Sequence, residues 1–144
     1  GKEIIPVQYK YVSIFKNGLA KFGENKKFGF INKTGKVIIP AQYDDAVGFH
    51  EELAHVQKNN QWGFIDKTGR EVIPTQYDET YGFFEELAPV KKNGLWGFID
   101  KKGREVIPIQ YDSVGWFSEG LALVEKDGKK QFIDKTGKII LPKQ

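Results

Sequence analysis

Apolar residues along this chain alternate with polar ones and nowhere keep a sustained helical spacing. In Trp62-Gly63-Phe64-Ile65-Asp66, Trp62 and Phe64 fall on one face of an extended strand and Ile65 on the other. In the Leu53–Val56 stretch, Ala54 and Val56 share a face and Leu53 points away. Such segments read as strands. With apolar groups on both faces, they need cover from both sides.

Turn residues divide the strands. Arg70–Pro74 predicts a first strand, residues 75–82 a connection, Phe83–Lys92 a second strand and Leu95–Asp100 a third. Asn93–Gly94 between the last two tolerates positive φ at both positions, as a type I′ hairpin requires, and Asp127–Gly128 does the same further on. The Lys101-Lys102-Gly103 turn ends in a glycine suited to the left-handed region. Proline closes each first strand, where a missing N–H costs least. The expected unit is a three-stranded antiparallel meander.

This unit recurs. Pro6, Pro40, Pro74, Pro108 and Pro142 are spaced 34 apart. Tyr9, Tyr43, Tyr77 and Tyr111 keep the same step, as do Phe15, Phe49, Phe83 and Phe117, and Gly35, Gly69, Gly103 and Gly137. One repeat domain over residues 1–144 follows, with units 7–40, 41–74, 75–108 and 109–142 and a partial unit at 1–6. A helical repeat of this period is excluded by the proline and glycines in every unit. Because one meander cannot cover both of its faces, neighbouring units must share a core. Phe30, Trp62, Phe64, Trp96, Phe98 and Phe132 are its expected members. The expected fold is all-β: meanders stacked into an open, twisted, solenoid-like array, with a small closed propeller-like ring as the alternative. First strands at Lys2–Pro6 and Lys138–Pro142 outnumber the other kinds, which favours the open form. Lys2, Glu3, Lys143 and Gln144 would guard its edges.

Composition narrows the class. Aromatics make up 14% of the chain and glycines number 16, a pairing that favours strands and tight turns. The net charge of +3 permits an acidic partner, but Lys and Glu are interleaved, so the charge reads as a solvated surface. Cysteine is absent, which removes disulfide and thiol chemistry. No apolar run reaches the roughly 18–20 residues of a membrane span. Methionine is absent too, so the chain reads as a processed, excised or engineered piece.

Trp62–Gly63 and Trp96–Gly97, each inside WGFID followed by KxG, VIP and YD, resemble the WG repeat (KWG repeat) family of mostly bacterial proteins. The resemblance spans the whole chain. Phe28–Gly29 and Lys130–Gln131 depart from it in the first and last units. It implies a β-rich repeat scaffold with no shared enzymatic activity, and it leaves the ligand open; no cofactor is expected, and a secreted or cell-envelope piece of a bacterial protein is compatible with the sequence.

Candidate chemistry is sparse. His50 to His55 reads HEELAH, but its spacing differs from a zinc helix and its slots hold Phe84 and Pro89 in the next unit. Adjacent glutamates, Glu51–Glu52 and Glu85–Glu86, would point opposite ways on a strand and flank no single bond. Asp44, Asp78 and Asp112, and Asp66, Asp100 and Asp134, stand in register and invite a calcium reading. Turn capping fits them better, since Asn32 takes the same slot in the first unit. Three serines, two histidines and no cysteine build no nucleophilic site. No catalytic residue and no metal ligand is expected.

Recognition on a repeat scaffold belongs where the repeat varies. Trp116 replaces Ile14, Gly48 and Gly82; Tyr81 and Phe84 stand in slots that are equally free, and His50 shares the slot of Phe84. Tyr81, Phe84, Trp116 and His50 are the candidate contact residues. A protein or peptide is the expected partner, carbohydrate the second reading and nucleic acid, through Lys26–Lys27, Lys91–Lys92 and Lys129–Lys130, the third. The chain is expected to be a monomer or to associate end to end.

Overall fold

The computed structural model describes residues 11–140. The expectations placed on Lys2, Glu3, Pro6, Tyr9, Pro142, Lys143 and Gln144 lie outside these residues. The described chain is all-β, in four antiparallel sheets of four strands, none closed into a barrel. The first sheet holds β1 (Tyr11–Val12), β2 (Leu19–Glu24), β3 (Lys27–Asn32) and β4 (Val37–Tyr43). The second holds β5 (Asp45–His50), β6 (Leu53–Lys58), β7 (Gln61–Ile65) and β8 (Glu71–Tyr77). The third holds β9 (Glu79–Thr80), β10 (Ala88–Lys92), β11 (Leu95–Ile99) and β12 (Glu105–Tyr111). The fourth holds β13 (Ser113–Val114), β14 (Leu121–Lys126), β15 (Lys129–Asp134) and β16 (Ile139–Ile140). In each sheet the strands follow one another in chain order.

Each meander thus has a strand more than alternation predicts, drawn from the connection. After Tyr77 the chain reverses, and Glu79 and Thr80 pair with Lys91 and Val90. The aspartates of one repeated slot secure that reversal. Asp44, Asp78 and Asp112 each accept the backbone N–H of the hairpin turn fifteen residues on, at Asn59, Asn93 and Asp127, all at 3.0 Å.

Two further boundaries differ from the sequence reading. The prolines do not close their strands: β4, β8 and β12 continue through Pro40, Pro74 and Pro108 to a tyrosine. They do so as bulges. Phe28 pairs with Tyr43 but Phe30 pairs with Ile39, so extra residues loop out around Pro40, where no ladder N–H is needed. The second strand is also not continuous from Phe83. Glu85 and Glu86 both have positive φ, 51° and 70°, and form a tight turn bridged by Phe84 and Leu87. Asn17–Gly18, Glu51–Glu52 and Glu119–Gly120 turn in the same way.

The chain divides into two compact units, Gly1–Thr75 and Gln76–Gln144. Within the first, Leu19, Phe30 and Ile39 of one meander share a buried core with Ala46, Phe49, Ala54, Val56 and Ile65 of the next. Phe30 and Phe49 meet edge to face at 5.0 Å. Within the second, Leu87, Trp96, Phe98 and Ile107 share a core with Val114, Phe117, Ala122, Val124 and Ile133, and the Phe98 and Phe117 rings lie 4.8 Å apart. Within each unit the two meanders complete one interior, as the two-faced strands require.

The glycine of the Trp–Gly pair has a steric cause. A β-carbon on Gly63 would lie 2.4 Å from the Ile73 carbonyl oxygen, and one on Gly29 would lie 2.2 Å from that of Ile39. The bulged strand passes directly over this slot, so no side chain fits.

Candidate functional site

Tyr81 and Phe84 stand in the segment between β9 and β10, and Trp116 in the equivalent segment after β13. The second compact unit brings all three together around Trp96 of β11. Tyr81 stacks on Trp96 with centroids 4.7 Å apart and a 24° interplanar angle. Trp116 stacks on Phe84 at 5.3 Å and meets Tyr81 edge-on at 6.1 Å. Lys91 extends its ammonium over Trp96 at 5.9 Å. Trp96 is buried while Trp116 is 51% exposed and Tyr81 37%. Rings of this kind anchor one another in a fixed geometry, leaving the outermost one available.

A shallow groove of about 420 Å³ runs beside Trp116, lined by Gly115, Ser118, Glu119, Leu121, Leu123 and Phe132. Leu123 and Phe132 are cross-strand partners on β14 and β15. Phe132 departs from the core role of its slot. Phe30, Phe64 and Phe98 are buried there, whereas Phe132 is 51% exposed, with no ring packed on it among the described residues.

His50 lies in the first compact unit at the end of β5, half-buried, and pairs with Leu53 around the Glu51–Glu52 turn. His55 is buried between the Trp62 and Phe64 rings, 5.2 and 5.9 Å away. Burial pulls its pKa down from 6.5 to about 4, and nearby Asp45 opposes this only in part. Trp62 itself is only half-buried, with the His55 ring tilted against it.

The other aspartate series caps its turns. Asp66 Oδ1 accepts the Thr68 and Arg70 N–H groups at 2.9 and 3.1 Å and the Thr68 hydroxyl at 2.6 Å. Asn32 accepts the same three bonds from Thr34 and Lys36. Asp134 repeats the pattern with Thr136 and Lys138. These bonds hold the Asp66 and Asp134 carboxyls below the ordinary aspartate range, the threonine hydroxyl contributing most. Among the described residues no three His, Asp or Glu side chains gather as a metal site would need.

Of the lysines read as a basic series, Lys27 pairs with Asp44, and Lys91 lies 3.7 Å from Glu79. No helix of the described residues is long and apolar enough to cross a membrane.

Tandem β-meanders with one frame, one shared-core contact and one glycine under a bulge define a β-repeat protein. The WG containing repeat matches it in four consecutive segments, residues 1–28, 28–62, 62–96 and 96–129, and the chain belongs to that family. The segments are cut at the aromatic slot of Phe28, Trp62 and Trp96, the same period read in another phase. No curated protein matches the chain.

Proposed function

We propose that this chain is a non-catalytic repeat scaffold that binds a protein or peptide through Tyr81, Phe84 and Trp116. The observation that carries this reading is the convergence of three aromatics from freely varying slots into one ring cluster whose outermost member is half exposed. The framework does not require aromatics there, since Ser13, Ile14 and Lys16 fill the same slots in the first unit. Interfaces use such rigid aromatic anchors as binding centres. The neighbouring groove is lined by Leu121, Leu123 and Phe132, which favours an apolar peptide side chain over a sugar hydroxyl. His50, in the first compact unit, is a further candidate.

Peptides selected on the wild-type chain from a displayed library test this reading. Tyr81→Ala with Trp116→Ala should weaken them at least ten-fold while circular dichroism and a cooperative urea transition show that the chain stays folded. Unchanged binding removes these residues from the interface. Glycan-array binding with the same dependence moves the partner class to carbohydrate.

A further inference from the structure

We propose that the groove at Phe132 receives the Tyr11–Gly18 segment of a second copy of this chain, joining copies head to tail. The chain performs this contact on itself inside each compact unit. In the first, Leu19 and Phe30 share a core with Ala46 and Phe49 of the following meander. The Asn17 side-chain amide donates to the Phe49 carbonyl at 3.3 Å, and Lys21 Nζ to that of Ala46 at 2.8 Å. In the second, Leu87 and Phe98 receive Val114 and Phe117. The Glu85 carboxylate accepts the N–H groups of Glu119 and Gly120, at 2.6 and 2.9 Å, from the next tight turn. The receptor is therefore a leucine, a phenylalanine and a polar side chain at the turn. What it receives is a small aliphatic and a phenylalanine three residues on, with a polar bond at the turn that is a carbonyl acceptor in the first unit and two backbone amides in the second.

At the two ends of the described residues one copy of each half stands without its counterpart among those residues. One period after Leu87, Phe98 and Glu85 stand Leu121, Phe132 and Glu119, which line the groove. The Glu119 carboxylate has no partner among the described residues. One period before Ala46 and Phe49 stand Val12 and Phe15. Val12 is 40% exposed, where Ala46 and Val114 are 1% and 8%. Phe15 is only partly buried, against Ala20, Phe22 and Ile31. Asn17 and Gly18 have φ of 56° and 82°, matching Glu119 and Gly120 at 52° and 80°, so the two amides are already set for a carboxylate. Nothing among the described residues accepts from them. Ile14, 88% exposed, holds the slot of Trp116 and would rest on Gly115 and Ser118, where the earlier junction has Tyr81 and Phe84.

The contact joins two different surfaces, so it is heterologous and propagates from copy to copy. It draws on Phe132, Leu121 and Glu119 of the groove beside Trp116, so a peptide seated in that groove would compete with it, whereas Tyr81 and Phe84 do not line the groove.

Sedimentation velocity over a hundred-fold concentration range tests it, using the whole chain. The wild type should form dimers and longer species as concentration rises. Phe132→Asp should raise the apparent dissociation constant at least ten-fold, and so should Val12→Asp. An equimolar mixture of the two variants should recover a dimer and nothing longer, because it restores one junction only. Circular dichroism and urea unfolding check each fold. Ile14→Asp, at an exposed position of the same inserting segment, provides a second lesion should Val12→Asp unfold. A wild type that stays monomeric, a Phe132→Asp chain that associates as the wild type does, or a mixture without dimer overturns the proposal. Loss of selected-peptide binding on Tyr81→Ala, a residue that does not line the groove, with self-association intact would separate the two readings.

Discussion

Gly97 lies beneath Ile107 with no room for a β-carbon, which would stand 2.7 Å from the Ile107 carbonyl oxygen. Gly63 stands in the same relation to Ile73. Because the obstacle is backbone, the site cannot yield by a rotamer change. Gly63→Ala or Gly97→Ala should destabilise the chain by about 2–3 kcal/mol, the upper range of overpacking costs, read as a drop in urea midpoint. An unaffected midpoint would show that the bulge relaxes.

The Phe98–Phe117 pair joins two meanders at 4.8 Å. Phe98→Ala or Phe117→Ala should each cost about 3–5 kcal/mol. The double variant should cost less than their sum, by roughly 0.5–1.5 kcal/mol for the ring contact itself. Strict additivity would mean that the two meanders do not share that interior.

His55 sets the acid side of stability. Its folded pKa, about 4, lies below the ordinary 6.5, so the unfolded chain binds more protons between these values. Its neutral form therefore supports folding fully above pH 6.5, and this support is lost as pH falls from 6.5 through 4. Urea unfolding should show a loss of roughly 2–3 kcal/mol over that window. His55→Leu should flatten it. The carboxyls of Asp44, Asp66 and Asp134 are held below the usual 3.8, Asp44 chiefly by Lys27. Their contribution is present above that value and disappears only at lower pH, so the two effects separate.

Lys26 and Glu52 hold φ of 66° and 75° in slots that other meanders give to Gly94 and Gly128, and to Gly18 and Gly120. A side chain in the left-handed region costs about 1–2 kcal/mol, partly offset by the greater freedom of glycine when unfolded. Lys26→Gly and Glu52→Gly should each raise stability by about 0.5–1 kcal/mol in thermal or urea unfolding. The exposed Glu52–Lys67 pair at 3.4 Å adds too little to reverse the sign.

What could be read from the residues was what has a local cause. Asn93–Gly94 announces its hairpin because both residues tolerate positive φ, 53° and 84° here. Asn32 in an aspartate slot announces a cap rather than a cation site. The Glu85–Glu86 turn was hidden because glutamate gives no turn signal; only the sister slots Asn17–Gly18 and Glu119–Gly120 carried it. The continuation of strands through Pro40 and Pro108 was hidden as well, because a bulge is set by the partner strand and not by the proline. Of the candidate contact residues, variation between units picked out Tyr81, Phe84 and Trp116. It could not pick out Trp96, whose slot is regular yet whose ring is the floor on which Tyr81 stacks.

The Asp78–Asn93 bond closes a turn within one meander, whereas the Glu85–Gly120 bond reaches the next. Local folding and junction formation thus draw on different side chains. A protein engineer could delete or duplicate one full 34-residue period and leave every remaining hairpin with its own clamp. A shift of a single residue would instead move each carboxylate off its amide and the bulge off its glycine, so length is free to change only in whole steps.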